Sequence, residues 1–316
     1  METNQTNSPS ETIKAPFISN CFGHKEVFES RHENVISTIL ELDNGDIASG
    51  SYDSTIKVWS IATKKLLQEI KLSKQFPTSL IEIPSNILVA STSEGNIIAY
   101  SIATGRELGT IKVSTIKLTK IINLSENSFL TSGYDRCIKL WKFPSDLNEN
   151  NFTQTSIRNE FSYEKCYDSV TCLCKLTEGQ FCSGSLKKVQ FWDADKYSST
   201  KSFEAHSKSL SCLKLLSKNR LATGAWDGIV KIWDLETLNC LGTIHQDFSY
   251  KVFELFEINE STLMALVTKY VIIVNLNSYQ CDTLFPLETF EEAGIVLKNS
   301  KKMVICASSH QLEMYS

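Results

Sequence analysis

Residues 49–59 read SGSYDSTIKVW, and two later stretches nearly repeat them: TSGYDRCIKLW at 131–141 and TGAWDGIVKIW at 223–233. Each stretch ends in Trp, carries Asp six positions before that Trp, and places a large aromatic residue directly before the Asp. Self-similarity at a fixed spacing is the signature of a repeat architecture. The spacing of these stretches therefore decides the fold.

A register based on the Trp position runs through the chain. The equivalent positions are Trp59, Tyr100, Trp141, Trp192, Trp233, Val274 and Tyr315. The steps between them are 41, 41, 51, 41, 41 and 41 residues. This register indicates seven copies of one unit, with ten extra residues (51 − 41) in the third interval. The loop-forming residues at 146–151 place this insertion between the third and fourth strands of the third unit.

Each unit carries four strand signals. A period-two alternation such as Thr55-Ile56-Lys57-Val58-Trp59 precedes the Trp position, which indicates a strand with one buried face. A strand of small residues lies upstream of it, as in IASGS at 47–51, and a polar hairpin turn precedes that strand at 43–46. One apolar strand comes before this turn, and a more polar strand follows the Trp. Four short strands in about 40 residues are typical of a propeller blade.

The units that end in Trp192-Asp193 and Trp233-Asp234 resemble WD40 repeats, and the likeness extends from about residue 12 to residue 316. The resemblance implies an all-β, seven-bladed WD40-type β-propeller. It would form one domain over residues 11–316, preceded by a disordered polar tail at 1–10. The seventh unit supplies only three strands, so we expect the N-terminal segment 11–24 to complete the last blade and to cover its open edge.

Two units contain a full set of His, Ser or Thr, Asp and Trp. The sets are His32, Ser49, Asp53 and Trp59, and His206, Thr223, Asp227 and Trp233. The His-to-Trp separation is 27 residues in both. The WD40 resemblance implies that each set is a structural hydrogen-bonded tetrad that holds the turn at its Asp. The alternative is a hydrolase triad of His32, Ser49 and Asp53, which the recurrence of the set in a second unit disfavours.

The residue before each turn Asp is predicted to lie at the tip of the turn between the second and third strands. WD40 propellers carry this turn on one end of the ring, the top face, where it is often a partner contact. The predicted partner-binding residues are Tyr52, Tyr134, Trp226, Ser93, Arg136, Phe76, Lys117 and Tyr167. Tyr and Trp dominate interface hot spots. The alternative is that each aromatic ring only packs against the adjoining blade.

Composition restricts the classes of partner. The formal net charge is −4 and no dense basic run is present, which disfavours nucleic acid. The ten Cys lack metal-type spacing, so neither a metal nor another cofactor is expected. The polar N-terminus has no signal-peptide pattern, and no apolar segment is long enough to span a membrane. Together with the thiols, this predicts a cytoplasmic protein, with the nucleus as an alternative.

These observations predict a non-catalytic interaction scaffold. We expect a monomeric propeller that works within a complex and binds one or more proteins or peptides on its top face. The first alternative is a substrate-recognition subunit of a ubiquitin ligase, although both Trp-Asp pairs lack the Arg found two residues later in many ligase adaptors. The second alternative is a propeller hydrolase with a site in the central pocket. The sequence does not identify the partner or the pathway.

Overall fold

The computed structural model describes residues 25–163, 166, 168–244, 251–268, 270–286, 294–297, 303–306 and 310–315. These ranges contain strands, turns and loops and no helix. The first half of the strands are β1 Lys25–Arg31, β2 Ile36–Glu41, β3 Ile47–Ser51, β4 Thr55–Trp59, β5 Leu66–Lys71, β6 Pro77–Ile83, β7 Ile87–Thr92, β8 Asn96–Ser101, β9 Glu107–Lys112, β10 Leu118–Ser125, β11 Ser128–Gly133, β12 Ile138–Lys142, β13 Arg158–Tyr163 and β14 Cys172–Thr177. The remainder are β15 Gln180–Gly184, β16 Lys188–Asp193, β17 Ser198–Glu204, β18 Leu210–Leu216, β19 Arg220–Ala225, β20 Val230–Asp234, β21 Cys240–Ile244, β22 Val252–Asn259, β23 Thr262–Val267, β24 Tyr270–Asn275, β25 Gln280–Pro286, β26 Gly294–Val296, β27 Met303–Cys306 and β28 Gln311–Tyr315.

These strands form seven four-stranded antiparallel sheets, the blades. Blades 1 to 6 take consecutive strands, from β2–β5 in blade 1 to β22–β25 in blade 6, and blade 7 has the order β26-β27-β28-β1. The first strand of each blade contacts the first strand of the blade before it and of the blade after it, and β26 contacts β2, so the ring is closed. The prediction of an all-β, seven-bladed propeller is confirmed.

The closing strand of blade 7 is β1. It pairs antiparallel with β28, with Lys25 opposite Tyr315 and Arg31 opposite Gln311. The chain's N-terminal part thus completes the last blade, as predicted. The predicted closing segment 11–24 lies outside the described residues, and within them the strand that pairs with β28 begins at Lys25. Phe28 explains this placement, because its fully buried ring anchors the strand in the apolar layer between blades 7 and 1.

The apolar core is divided into layers between neighbouring blades. Seven clusters of buried residues occur in the described part of the chain, one for each blade-to-blade contact. The small residues of the second strands allow this close packing. A Cβ added at Gly50 of β3 would lie 2.5 Å from Cγ of Pro77 in blade 2. The small-residue pattern of the sequence therefore reflects the approach of adjacent sheets.

Hydroxyl groups near the start of the first strands connect one blade to the next. Each donates a hydrogen bond to a backbone carbonyl of the following blade. The bonds run from Ser37 to Pro77 (2.6 Å), from Thr119 to Val170 (2.5 Å), from Thr171 to Leu210 (2.7 Å), and from Ser211 to Val252. Such bonds fix the blades relative to one another around the central axis. Residues at this axis consequently have well-defined positions.

The ten-residue insertion lies between β12 and β13, as its loop chemistry predicts. The inserted segment is packed rather than loose: Leu147 is buried, and the Gln154 amide donates a 2.8 Å hydrogen bond to the Thr110 carbonyl of blade 2. Phe152 also covers Gly109, where an added Cβ would lie 3.0 Å from its ring. The insertion thus covers part of β9, the edge strand of the neighbouring blade.

Candidate partner-binding face

A hydrogen-bonded chain of side chains fixes the turn between β3 and β4. The Trp59 indole N–H donates to Ser49 Oγ (2.8 Å), and Ser49 lies 2.8 Å from Nε2 of His32. Nδ1 of the same imidazole lies 2.9 Å from Oδ2 of Asp53. Because a carboxylate can only accept, Nδ1 carries a proton and donates to Asp53, while Nε2 of the neutral ring accepts from Ser49. The chain runs in one direction, from Trp to Asp.

The same arrangement recurs in blade 5. The Trp233 indole N–H donates to Thr223 Oγ1 (2.9 Å), and Thr223 lies 2.7 Å from Nε2 of His206. Nδ1 of His206 lies 3.2 Å from both carboxylate oxygens of Asp227. The two sets occupy equivalent positions of two blades and serve the same kind of turn. Their repetition indicates a structural role.

Burial makes both tetrads inaccessible to a substrate. His32, Ser49 and Thr223 are fully buried, and His206 is 5% exposed. Ser49 Oγ, the atom that a hydrolase would use as nucleophile, lies between the indole of Trp59 and the imidazole of His32. A nucleophile must be reachable by the reacting carbon. This geometry supports the structural reading of the tetrads.

The carboxylate of Asp53 is held as an anion. Burial opposes ionisation of Asp53, but hydrogen bonds from His32 and Thr55 outweigh burial and lower the pKa of this carboxyl. Asp53 Oδ1 also accepts from the backbone N–H of Thr55 (2.8 Å), two residues onward. Asp135 and Asp227 accept the equivalent backbone bonds from Cys137 and Ile229. The Asp therefore holds the turn and fixes where its preceding residue lies.

A repeated backbone bond places each turn residue beside the central axis. The N–H of the residue before the acidic turn residue, which is Asp in blades 1, 3 and 5 and Glu94 in blade 2, donates to the carbonyl 17 positions earlier, just ahead of the first strand of the same blade. The bonds run from Tyr52 to Val35 (3.0 Å), from Ser93 to Phe76 (3.0 Å), from Tyr134 to Lys117 (3.1 Å), and from Trp226 to Ser209 (2.9 Å). The alternation of strand directions puts these turns and the links between blades on the same face. This face is the top face.

A cavity of about 180 Å³ opens at the centre of the top face, and we refer to it as the central mouth. Its lining residues come from six blades. They are Ser37, Tyr52, Phe76, Thr78, Lys117, Thr119, Tyr134, Thr171, Leu210, Ser211, Trp226, Lys251 and Phe253. Tyr52, Tyr134 and Trp226 are 36%, 48% and 52% exposed. Three aromatic side chains from three blades thus surround one opening.

Comparison with known proteins identifies the repeat. The family model described as "WD domain, G-beta repeat" matches residues 24–60 and 197–234, two segments that each end one residue after the Trp of a tetrad. The chain is a seven-bladed β-propeller, and these two segments are similar to WD repeats. A 41-residue stretch is 44% identical to the DENN domain and WD repeat-containing protein SCD1 of Arabidopsis thaliana. That stretch covers 13% of this chain and 4% of the relative. WD40 propellers typically serve as protein-interaction scaffolds.

The central mouth of this propeller brings together five of the eight residues predicted to bind a partner: Tyr52, Phe76, Lys117, Tyr134 and Trp226. The other three do not line it. The hydroxyl of Ser93 accepts a hydrogen bond from the Phe76 amide (3.2 Å), Arg136 is exposed on the turn next to Tyr134, and Tyr167 lies outside the described residues.

The surroundings of Tyr52, Tyr134 and Trp226 leave part of each ring exposed. The Tyr52 ring contacts Phe76 of blade 2 edge-on, with centroids 4.6 Å apart, so inter-blade packing does occupy part of this ring. The Lys251 ammonium group of blade 6 lies 4.8 Å from the Trp226 ring centroid. Tyr134 is nearly half exposed. Packing against the adjoining blade therefore leaves all three rings accessible from the top face.

Several residues of the top face were not found by sequence reasoning. Lys251 and Phe253 line the central mouth, and Ile116 and Leu186 are exposed at 43% and 52% on top-face loops. The place of Lys251 on the top face could have been predicted from the sequence, because it directly precedes a first strand, as Phe76 precedes β6 and Lys117 precedes β10. Leu186 stands at the turn-Asp position of blade 4, six residues before Trp192, and an apolar residue there does not mark a contact in the sequence.

Two other classes of site were sought in the described part of the propeller. No group of three or more His, Cys, Asp and Glu residues there could hold a metal ion. No helix within the described ranges has the length and apolar character needed to cross a membrane.

The buried imidazole of blade 5 predicts a pH dependence of stability. Burial lowers the pKa of His206 below its ordinary value of 6.5, and the charge of Asp227 offsets this only in part. The folded chain therefore favours neutral His206, and below about pH 6.5 the unfolded chain binds more protons. We expect the free energy of unfolding to fall as the pH drops through this value. Urea denaturation followed by Trp fluorescence at about pH 7.5 and about pH 5.5 measures the change. A His206 pKa above 6.5 in an NMR titration contradicts it.

Proposed function

We propose that this chain is a non-catalytic scaffold that binds a protein or peptide segment on the top face of its propeller. The observation that carries the proposal is the convergence of Tyr52, Tyr134 and Trp226 on one central cavity while each remains accessible. Aromatic side chains supply large contact areas at low entropic cost, and clusters of them near the centre of an interface dominate binding energy. The rigid blade-to-blade contacts below them favour a preformed binding surface.

The proposed setting is a complex in the cytoplasm or the nucleus, in which the propeller is monomeric. Six cysteines in the described part of the chain, Cys166, Cys172, Cys174, Cys182, Cys212 and Cys240, are free thiols, and Cys174 and Cys182 face each other across β14 and β15. Free thiols in this number suit a reducing compartment.

The test is affinity purification with mass spectrometry, comparing the parent chain with a Tyr52→Ala/Tyr134→Ala/Trp226→Ala variant. We expect the variant to recover roughly tenfold less of the specific partners, because truncation of a central aromatic residue typically removes more than 1 kcal/mol of binding energy. The matched control is Val27→Ala/Leu67→Ala/Leu241→Ala, which truncates three exposed apolar side chains of outer strands.

The control triple variant should recover the same partners as the parent chain. If the folded top-face variant also retrieves them unchanged, the central mouth is not the docking surface. Recovery of ubiquitin-ligase subunits together with their substrates would favour the substrate-receptor alternative within the same proposal.

A further inference from the structure

Two buried cysteines face each other across the first two strands of blade 4. Cys174 of β14 and Cys182 of β15 are directly opposite in the antiparallel ladder. Opposite residues of such a ladder project from the same face of the sheet, with Cβ atoms about 4.5–5.5 Å apart. Both side chains accordingly belong to one apolar cluster, which lies between blades 4 and 5. The fold thus holds two free thiols side by side.

Two other buried thiols of blades 4 and 5 have no such neighbour across the ladder. Cys172 is directly opposite Gly184, and a Cβ added at this glycine would lie 2.5 Å from the Cys172 sulfur. Cys212 packs onto Gly224 in the same way, with a corresponding separation of 2.7 Å. Because Gly has no side chain, neither sulfur meets a second sulfur across its own pair of strands. The facing pair is therefore distinguished by its register rather than by burial.

The two thiols of the facing pair differ in acidity and in access. The hydrogen bond from the Cys182 thiol lowers the pKa of Cys174, burial opposes this shift, and the backbone N–H of Leu215 adds a second donor. The same thiol contact, followed by burial, raises the pKa of Cys182. Cys174 is also the more accessible, since it is 9% exposed and Cys182 is fully buried. Oxidant-sensitive cysteines combine thiolate character with access and have a second thiol beside them.

We propose that Cys174 and Cys182 are a modification site at which a small hydroperoxide such as hydrogen peroxide forms a reversible disulfide. The Cys174 thiolate attacks one peroxide oxygen, the O–O bond breaks, and the departing hydroxide takes up the proton that the thiol released, which gives water. The Cys174 sulfur is then a sulfenic acid. As the Cys182 sulfur bonds to it, the hydroxyl group of the sulfenic acid leaves with the Cys182 proton as a second water. The two sulfurs lose two electrons, which reduce the peroxide.

The disulfide joins β14 to β15 within the layer on which blade 5 packs. It requires Cβ atoms about 3.5–4.5 Å apart, so the two strands have to approach more closely than in an ordinary cross-strand pair. A disulfide that carries such strain is reduced readily, which fits the reducing compartment proposed above. Leu210 belongs to the same cluster and also lines the central mouth, which connects this layer to the candidate binding face.

The experiment treats the folded, reduced chain with hydrogen peroxide, blocks the remaining thiols and maps the cysteines by mass spectrometry. Trypsin cleavage places Cys174 and Cys182 on the separate peptides 166–175 and 176–187. We expect to recover these peptides joined by a disulfide, with fragment ions that assign the bond to Cys174, and to separate them with dithiothreitol. Trp fluorescence during the treatment checks that the chain stays folded.

A Cys182→Ala variant should form no bond between the two peptides and should instead accumulate the sulfenic acid of Cys174, which dimedone labels. Cys172→Ala is the matched control, because Cys172 lies two residues away on the same strand and faces Gly184, and it should cross-link as the parent chain does. The inference is overturned if both thiols stay reduced in the folded parent chain while the exposed Cys240 is oxidised. A bond that forms only in the urea-unfolded chain, or that involves Cys172 instead, overturns it as well. These results leave the proposed function unaffected.

Discussion

A Phe28→Ala variant is expected to lose about 3–5 kcal/mol of its free energy of unfolding, the range typical for truncation of a fully buried Phe. Phe28 lies on β1, the strand that closes the ring, and its ring meets Trp59 edge-on with centroids 5.8 Å apart. It belongs to an apolar cluster that joins Leu312 and Met314 of β28 to Ile36 and Ile47 of blade 1. Loss of the ring therefore weakens blade 7 and its contact with blade 1 together.

Urea denaturation measures this effect, and hydrogen exchange locates it. Amides of β28 should exchange faster in the Phe28→Ala variant than in the parent chain, while those of blade 4 should not change. Val27→Ala is the matched control on the same strand, because Val27 is 44% exposed and its truncation should have little effect. A loss below about 1 kcal/mol for Phe28→Ala, or unchanged exchange in β28, would show that β1 does not secure the ring.

The fold could be predicted from the sequence because the 41-residue spacing continues in units that lack the Trp. Val274 and Tyr315 replace Trp in the last two units, yet β24 covers Val274 and β28 ends at Tyr315, as the 41-residue register requires. Burial in the third strands does not follow a strict period of two, since β4 is buried from Ile56 to Trp59. Both replaced positions nevertheless lie in strands with buried apolar side chains, such as Val271 in β24 and Met314 in β28.

The closing strand was harder to locate. Its sequence, KEVFESR at 25–31, has two adjacent apolar residues, of which Phe28 is buried and Val27 is substantially exposed. Three charged residues of this strand form ion pairs with residues outside it: Lys25 with Glu313, Glu26 with Lys64, and Glu29 with Lys65. These partners come from other parts of the chain. A strand that is specified by such partners gives almost no local pattern.

Only part of the candidate site could be predicted from the sequence, because the turn Asp marks some blades and not others. Tyr52, Tyr134 and Trp226 precede a turn Asp, which fixes the position of the turn and so makes the preceding residue identifiable. Blade 6 has Val267-Thr268 where those blades have an aromatic residue and Asp, and nothing in its sequence marks the top face. Lys251 could be assigned from its place directly before a first strand, whereas Phe253, which lies within β22, could be assigned to the mouth only from the structure.

The second large effect concerns the centre of the blade 1 tetrad. A Ser49→Ala variant should lose about 2–4 kcal/mol, because removal of one hydroxyl leaves two buried groups without their partner. These groups are the indole N–H of Trp59 and Nε2 of His32, each 2.8 Å from Ser49 Oγ. Both rings are fully buried, so water cannot replace the hydroxyl without opening the blade.

Blade 4 provides the matched control, since it has the Ser–Trp contact without the His–Asp extension. Ser183 Oγ accepts from the Trp192 indole N–H at 2.8 Å, and Cys166 and Leu186 stand where a tetrad has His and Asp. Ser183→Ala leaves one buried donor unpaired, which predicts a smaller loss of about 1–2 kcal/mol. Urea denaturation of both variants gives the two values on one scale.

The difference between the two losses isolates the contribution of the His–Asp extension. If His32 only fills space, Ser49→Ala and Ser183→Ala should be equally destabilising. If the hydrogen-bonded chain acts as a unit, the Ser49 variant should also loosen the Asp53 turn, because His32 loses the contact that orients its ring toward the carboxylate. Tyr52 immediately precedes Asp53, so faster hydrogen exchange at the Tyr52 amide, which donates to Val35 in the parent chain, would connect the buried tetrad to the position of an aromatic residue at the central mouth.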